Sequence, residues 1–299
     1  MNQYIGVDIG ATKIAAGLIS GQKIVKKIKV KTQAKKGKAQ TVKNIKKVIA
    51  ELYVSNIKGI GVGIAGQVDT NKGVVISSPN FAKNFKNVEL KKILTKEFEK
   101  PVLIENDANC FVLGEALYGS AKKYDFVVGL TLGTGVGGGI VIEKNIYHGT
   151  DGFGGELGHM TITNKGLKCS CGQYGHLEAY ASGTAMSKIF KQLTGKQKKA
   201  LDVEIEAKNG NKQAKKVFNM MSESLATGLA NIIHIFNPDA IVLGGGLAKV
   251  KILIEPTIKM TKAKLIYPEL KNTKIIATKL KGDAPILGAA SLLKNNKKR

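Results

Sequence analysis

Tryptophan is absent from this chain of 299 residues, cysteine occurs three times, proline six times, and 22 acidic residues stand against 47 basic ones. Three cysteines cannot build a disulfide framework, which excludes the small disulfide-stapled secreted scaffolds. Six prolines beside 35 glycines argue for many tight backbone turns and against a proline-rich disordered chain. No stretch approaches the roughly 20 apolar residues that a membrane-spanning helix requires. The N-terminus lacks the basic region, apolar core and small-residue cleavage site of a secretory leader. Instead a strand-like run, Tyr4-Ile5-Gly6-Val7, begins almost at once. A cytoplasmic protein with no membrane partner is expected.

Hydrophobic residues make up 43% of the chain, an ordinary share for a globular protein, and the length is about twice that of a typical single domain. Two domains sharing a cleft are therefore expected. The net charge is +25, and eleven lysines with no acidic residue fall between Gly21 and Lys47. Such a run reads either as a nucleic-acid surface or as a solvated lysine-rich exterior. Aromatic residues are only 6% and no nucleic-acid motif accompanies the charge, so nucleic acid is not an expected partner. A basic cleft would still favour a small polyanion.

Hydrophobic periodicity shows two similar runs of elements. Residues 4–8, 14–20 and 23–31 read as strands, with Gly21-Gln22 as the turn between the last two. Thr41 is placed to cap a helix carrying Val42, Ile45, Val48, Ile49 and Leu52 at helical spacing. Residues 57–64 form an apolar strand, 88–98 a helix after a loop around Pro79-Asn80, and 102–104 another buried strand. The order then restarts with strands at 126–132 and 139–142 around a glycine loop, and 145–148 approaches a third. Helices follow at 182–193 and 211–236, then a strand at 240–243 that opens into Gly244-Gly245-Gly246. Residues 285–294 read as a final helix that packs back on the first half. A meander followed by alternating helices and strands is a layered α/β arrangement, and its recurrence points to duplication.

Asp8-Ile9-Gly10-Ala11-Thr12-Lys13 joins the first two strands. Gly10 is expected to permit a turn with positive φ, and the backbone N–H groups there can line an anion-binding concavity. Thr12 and Lys13 suit phosphate oxygens, and Asp8 could hold a hydrated Mg2+. Alone, this is equally the pattern of a plain hairpin. The second hairpin weighs more. Leu132-Gly133-Thr134-Gly135-Val136-Gly137-Gly138-Gly139 places five glycines and a threonine directly after an apolar strand. So many glycines weaken a hairpin unless a ligand must approach its backbone closely. The loop is neither a P-loop nor a dinucleotide fingerprint, because no Gly-Lys-Ser/Thr is present and it runs into a strand. Two such hairpins facing each other could clasp a polyphosphate.

Glu105-Asn106-Asp107-Ala108-Asn109 follows an apolar strand and starts a helix. Asp107 reads as a general base in a cleft, or else Asn106 or Asp107 is simply the helix N-cap. The residues alone leave both open. His159, Cys169, Cys171 and His176 match a closed tetrahedral Zn2+ site, with Gly166, Gly172 and Gly175 supplying turns. Two unrelated thiols are the alternative. Cys110 lies on another element and reads as a packed core thiol.

In these motifs the sequence resembles the ROK family of repressors, uncharacterised reading frames and sugar kinases. The resemblance spans essentially the whole chain. It rests on the Asp8-to-Lys13 loop, Glu105 to Asn109 with Gly114-Glu115, Leu132 to Gly139, and Glu156-Leu157-Gly158-His159. It continues through Cys169 to Glu178, Gly244 to Gly246, and Gly282-Asp283-Ala284, all in family order. It implies an α/β two-domain actin-like ATPase (ribonuclease H-like) fold with a nucleotide and sugar cleft. The domains would be residues 1–117, rejoined by 284–299, and 118–283 with a zinc loop at 159–178. By the family pattern Asp107 would deprotonate a sugar hydroxyl for attack on the γ-phosphate of ATP. Gly66, Asn80, Asn106, Glu156, His159 and Glu178 would surround the sugar. Asp8, Gly10, Thr12, Lys13, Gly133, Thr134 and Gly135 would meet the phosphates and Mg2+, and Gly245 and Gly246 the nucleoside. His159 would serve both zinc and sugar, the Zn2+ being structural. A homodimer or higher homo-oligomer is also implied.

Three departures from the family pattern stand out. His176 occupies a position where cysteine is most common, Ala11 replaces a common glycine, and residues 79–85 lack the tryptophan of many glucokinase members. Imidazole is an equally good zinc ligand. The 6-OH of glucose is the first expectation for the acceptor, followed by N-acetylmannosamine, N-acetylglucosamine, mannose, fructose and allose. Repressor members carry a helix-turn-helix ahead of the first phosphate strand, and only three residues precede Tyr4 here. A sugar-responsive or nucleic-acid-binding protein without catalysis is therefore the less favoured alternative.

Overall fold

The computed structural model describes residues 2–78 and 80–295. It opens with β1 (Gln3–Ile9), β2 (Lys13–Ser20), β3 (Lys23–Lys31), α1 (Lys38–Ala50) and β4 (Ile57–Ile64). Then come β5 (Gln67–Asp69), β6 (Val74–Ser77), α2 (Leu90–Phe98), β7 (Val102–Asn106) and α3 (Asp107–Tyr118). The chain continues with β8 (Phe126–Leu132), β9 (Val136–Ile142), β10 (Asn145–Ile146), α4 (Glu178–Ala181), α5 (Gly183–Thr194) and α6 (Ala200–Lys208). It ends with α7 (Lys212–Phe236), β11 (Ala240–Gly244), α8 (Lys251–Lys264), β12 (Lys274–Ala277) and α9 (Ala284–Asn295). Pro79 and residues 296–299, the latter expected in the last helix, lie outside the described residues.

Two five-stranded sheets have the orders β3-β2-β1-β4-β7 and β10-β9-β8-β11-β12. In the first, β2 pairs antiparallel with β1 and β3 antiparallel with β2, while β4 pairs parallel with β1 and β7 parallel with β4. The second repeats the pattern, with β8, β11 and β12 parallel and β10 antiparallel to β9. The chain divides into two compact units, one of Met1–Asp125, Gly139–Gly155 and Lys279–Arg299, the other of Phe126–Gly138 and Glu156–Thr278. Residues 118–125, 139–155 and 279–283 thus fall in the first unit, whereas the motif order placed them in the second. The reasons are local. Glu143 N–H donates to Asp125 O at 2.8 Å, His148 meets Glu105 at 2.6 Å, and Asp283 pairs with Lys27.

The first unit is organised around α3 and α9. Residues 108–116 of α3 are buried without interruption, as expected of a helix apolar on every side. Against it, and against β1 and β4, lies α9. Four glycines let the backbones touch. A Cβ at Gly61 would stand 1.8 Å from Ala289 O, at Gly6 2.0 Å from Ile286 O, at Gly114 2.0 Å from Ala284 O, and at Gly288 1.8 Å from Cys110 O. No side chain fits at these places without displacing the helix.

Lys23, Lys26, Lys27, Lys29 and Lys31, nearly half of the eleven-lysine run, sit on β3, the open edge of the first sheet. Lysines on an edge strand discourage pairing with another chain. Where α1 starts also differs from expectation. The helix begins at Lys38 with Gly37 as N-cap, and the Lys38 N–H is taken by the Asn84 side chain at 3.1 Å. Thr41 is one turn inside, its hydroxyl donating to Gly37 O at 3.0 Å, so the cap is tertiary and invisible to local pattern. No helix among the described residues is long and apolar enough to cross a membrane.

The backbone seat of α9 makes a sharp stability prediction. Gly61→Ala should destabilise the protein by roughly 3 kcal/mol or more, or prevent folding. Gly246→Ala, at a site with φ −65° and no atom within 4 Å of a new Cβ, should stay within about 0.5 kcal/mol of the parent. Urea unfolding of both variants measures the contrast.

Candidate active site

Asp8 and Asp107 lie at the same end of the first sheet. β4 separates β1 from β7, and the register pairs Asp8 with Gly63 and Gly63 with Glu105. With no side chain at Gly63, a Cβ there would stand 3.5 Å from Asp107 Cα. Burial, and next the Asp107 carboxylate, push Asp8 up to about 7, partly offset by Lys13 and Lys27.

The capping question resolves in favour of Asn106. Its Oδ1 accepts from the Ala108 and Asn109 N–H groups at 2.8 and 3.2 Å, and its Nδ2 donates to Gly66 O at 3.0 Å. Asp107 is the first helical residue, half-buried, its carboxylate also accepting from Ala108 N–H at 3.0 Å. Glu105, buried at the end of β7, accepts from Asn106 N–H at 2.7 Å and from Asn109 Nδ2 at 3.0 Å. Asn80 stands exposed in the turn after β6. Cys110 is buried under Gly63, and burial, with the nearby Glu105, Asp107 and Asp8 carboxylates, pushes its thiol well up.

In the β1–β2 turn, Gly10 N–H donates to Lys13 O at 3.0 Å and Thr32 Oγ1 donates to Gly10 O at 2.6 Å. Gly10 does not adopt a positive φ, contrary to the expectation from sequence, because the Thr32 hydroxyl and the Gly10–Lys13 bond close the turn. A Cβ there would meet its nearest atom at an ordinary 3.4 Å. Thr12 and Lys13 are exposed beside it.

In the second unit the β8–β9 loop is tied to the start of α5. Gly183 N–H donates to Gly133 O at 2.8 Å and Thr184 N–H to Thr134 O at 3.3 Å. Gly245 is required by packing, since a Cβ would lie 2.3 Å from Leu132 O. Gly133 and Gly246 are different: no atom lies within 4 Å of a new Cβ, and neither has a positive φ. Nothing among the described residues demands glycine there. Glu178, at the start of α4, bridges two loops. Its Oε2 accepts from Val136 N–H at 3.0 Å and its Oε1 from Ser170 Oγ at 2.5 Å.

His159, Cys169, Cys171 and His176 converge, their ligand atoms all within 4.8 Å of one another. The two Nδ1 atoms are 3.4 Å apart, Cys171 Sγ is 3.3 Å from His176 Nδ1, and Cys169 Sγ is 3.7 Å from His159 Nδ1. A tetrahedron with ordinary Zn–N and Zn–S bonds has N···N edges of about 3.4 Å and N···S edges of about 3.6 Å. The donor set therefore fits Zn2+. His159 presents Nδ1 to this cluster and turns Nε2 toward Glu156, 3.9 Å away. Gly172 and Gly175 adopt positive φ in the loop. Gly166 does not; it is small because the Tyr180 hydroxyl packs over it, 2.1 Å from a would-be Cβ.

The sequence reading overlooked Ser170, Glu105 and His148 as site neighbours. Glu105 stood within a recognised motif but without a role, and its partner His148 is 43 residues away, beyond the reach of any local signal.

The family model described as ROK family matches residues 4–296. The chain belongs to the ROK family. A relative, the glucokinase of Thermotoga maritima, is 36% identical over 98% of this chain and 97% of its own. The structure of a ROK family glucokinase from Streptomyces griseus in complex with glucose and AMPPNP superposes with TM-score 0.85 at 31% identity, covering 97% of this chain and 99% of that one. A ROK hexokinase from Thermus thermophilus gives TM-score 0.86 at 29% identity, covering 99% of each chain. The fold is the actin-like ATPase fold of ROK kinases, and this ROK protein is an ATP-dependent sugar kinase.

The paired carboxyls predict a measurable titration. In metal-free protein the Asp8 carboxyl should titrate near pH 7 by carbon-13 NMR, move down in Asp107→Asn and up in Lys13→Ala. Its folded-state value lies above the ordinary carboxyl range, so the folded chain holds a proton that the unfolded chain has released. The stability from this group is thus full below about pH 4, is lost progressively as pH rises to about 7, and is gone above it.

Proposed function

We propose that this kinase transfers the γ-phosphate of ATP to the 6-OH of glucose, with Asp107 as general base. The observation that carries the reading is the placement of Asp107: first residue of α3, half-buried, its backbone held through Asn106 and Glu105. Asp8 lies at the same end of the sheet, raised in part by the Asp107 charge, and two carboxyls that feel each other's charge invite a cation near them. A glucokinase name at 36% identity and a relative that holds glucose and AMPPNP support glucose and ATP.

In the proposed reaction the Asp107 carboxylate takes the proton of the sugar hydroxyl. The hydroxyl oxygen forms a bond to the γ-phosphorus as the bond to the β–γ bridging oxygen breaks, leaving ADP. Mg2+, arriving with the nucleotide, would neutralise phosphate charge, and Asp8 would hold its hydration shell. Gly10, Thr12 and Lys13 in the first unit, and Gly133, Thr134 and Gly135 in the second, would offer N–H, hydroxyl and amine donors to phosphate oxygens. Gly133 and Gly246 support this reading, because each leaves open space over the backbone where a ligand could approach. Gly245 and Gly246 would meet the nucleoside. Gly66, Asn80, Asn106, Glu156, His159 and Glu178 would contact sugar hydroxyls. Zn2+ on His159, Cys169, Cys171 and His176 would brace the loop that carries His159. A homo-oligomer in the cytoplasm is the assembly and setting that the family suggests.

Turnover by Asp107→Ala should fall by a factor of about 10^3 or more while ATP binding, read by calorimetry, survives. An ATP-coupled assay over glucose, mannose, fructose, allose and the two N-acetylhexosamines should give the highest kcat/KM with glucose. Turnover retained in the variant would refute the base assignment, and a higher kcat/KM for another sugar the acceptor.

Metal analysis should find one zinc per chain. Cys171→Ser should lower that content and raise KM for the sugar more than KM for ATP. Full zinc retention, or equal effects on both constants, would count against the brace.

A further inference from the structure

His148 has no part in the reaction just described, yet it pairs with Glu105, a buried carboxylate of the first unit. Glu105 is 3% exposed and its two carboxylate oxygens have separate duties. Oε1 takes Asn106 N–H at 2.7 Å and Asn109 Nδ2 at 3.0 Å. Oε2 meets His148 Nε2 at 2.6 Å. Asn106 and Asn109 bracket Asp107, one residue before it and two after. Asn109 commits its amide to Glu105 although its own Oδ1 is then left buried with no hydrogen-bond partner among the described residues, an unfavourable arrangement in isolation. The Glu105 hub therefore dictates how the first turn of α3 is set.

A buried carboxylate must have its lone pairs satisfied, and losing one donor leaves it free to turn. His148, just after β10, is the partner that Oε2 has among the described bonds, and it reaches across from the segment that runs through Gly149, Gly152, Gly154 and Gly155 toward Glu156. We propose that His148 is a positioning residue for phosphoryl transfer: by anchoring Glu105 it fixes the first turn of α3 and hence the direction of the Asp107 carboxylate. The inference rests on Asp107 being the base. A base displaced by about 1 Å loses on the order of 100-fold in rate, so a remote hydrogen bond of this kind should register in kcat.

The test compares His148→Phe, which fills the space without a hydrogen bond, with His148→Gln, whose side-chain amide can donate to Glu105 from near the same position. His148→Phe should lower kcat by roughly 10- to 100-fold while both KM values stay within about 3-fold, and His148→Gln should recover most of the loss. Hydrogen exchange of the Ala108 and Asn109 amides, both bonded to the Asn106 side chain, should accelerate in the Phe variant and return in the Gln variant. An unchanged kcat in His148→Phe overturns the proposal, as does an equal loss in both variants. If the Phe variant fails to fold, the pair Glu105→Gln and Glu105→Met decides: Gln keeps an acceptor for Asn106 and Asn109 and a group for His148, and should retain kcat where Met loses it. Equal kcat in that pair overturns the proposal. Asp107→Asn assayed in parallel separates the two readings, since activity there removes the base assignment, whereas an inactive Asp107→Asn beside an unaffected His148→Phe removes only the positioning role.

Discussion

The closest constraint in the molecule is the contact of α9 with bare backbone. At Gly6, Gly61, Gly114 and Gly288 a carbonyl oxygen occupies the place where any other residue would carry its Cβ. Dispersion falls off steeply with separation, so backbones this close gain contacts along their length that larger side chains would prevent. The seat holds β1, β4 and α3 against one common helix, and two of those elements deliver Asp8 and Asp107. Placement of the carboxyl pair follows from glycines that never touch a ligand.

A second constraint is electrostatic. The charge of Asp107 disfavours an ionised Asp8, and Lys13 and Lys27 offset it in part. Lys27 is itself paired with Asp283, in the turn that begins α9. The charge balance of the carboxyl pair and the docking of the last helix thus share a side chain.

Much of this was legible from sequence and some was not, for identifiable reasons. The meander, the apolar strand at 57–64 and the glycine loop announced themselves because each rests on local pattern: alternation, continuous apolarity, runs of glycine. The Cys/His loop was equally plain, since its ligands lie close together in the chain. The β5–β6 hairpin, α6, α8 and β12 were not anticipated. In α8, Pro256 sits inside the helix, where pattern alone reads a break, and packing against α7 overrides it. β12 is a short, half-exposed edge strand with little alternation to find. At the site, Gly10 was expected to be a conformational glycine and proved to have an ordinary φ, whereas Glu105 and Ser170 owe their places to contacts that only the fold creates.

The two units differ in when their parts leave the ribosome. Every segment of the second unit, Phe126–Gly138 and Glu156–Thr278, precedes α9 in the chain, so that unit can close while synthesis is still under way. The first unit begins with β1 but includes the segment from Lys279 onward. Its early strands must wait, with their glycine seat exposed, until the last helix arrives. In the growing chain the carboxyl pair is therefore the last part of the machinery to acquire its native support, and an incomplete product would bring a finished second unit to a first unit that cannot yet hold Asp8 and Asp107 in place.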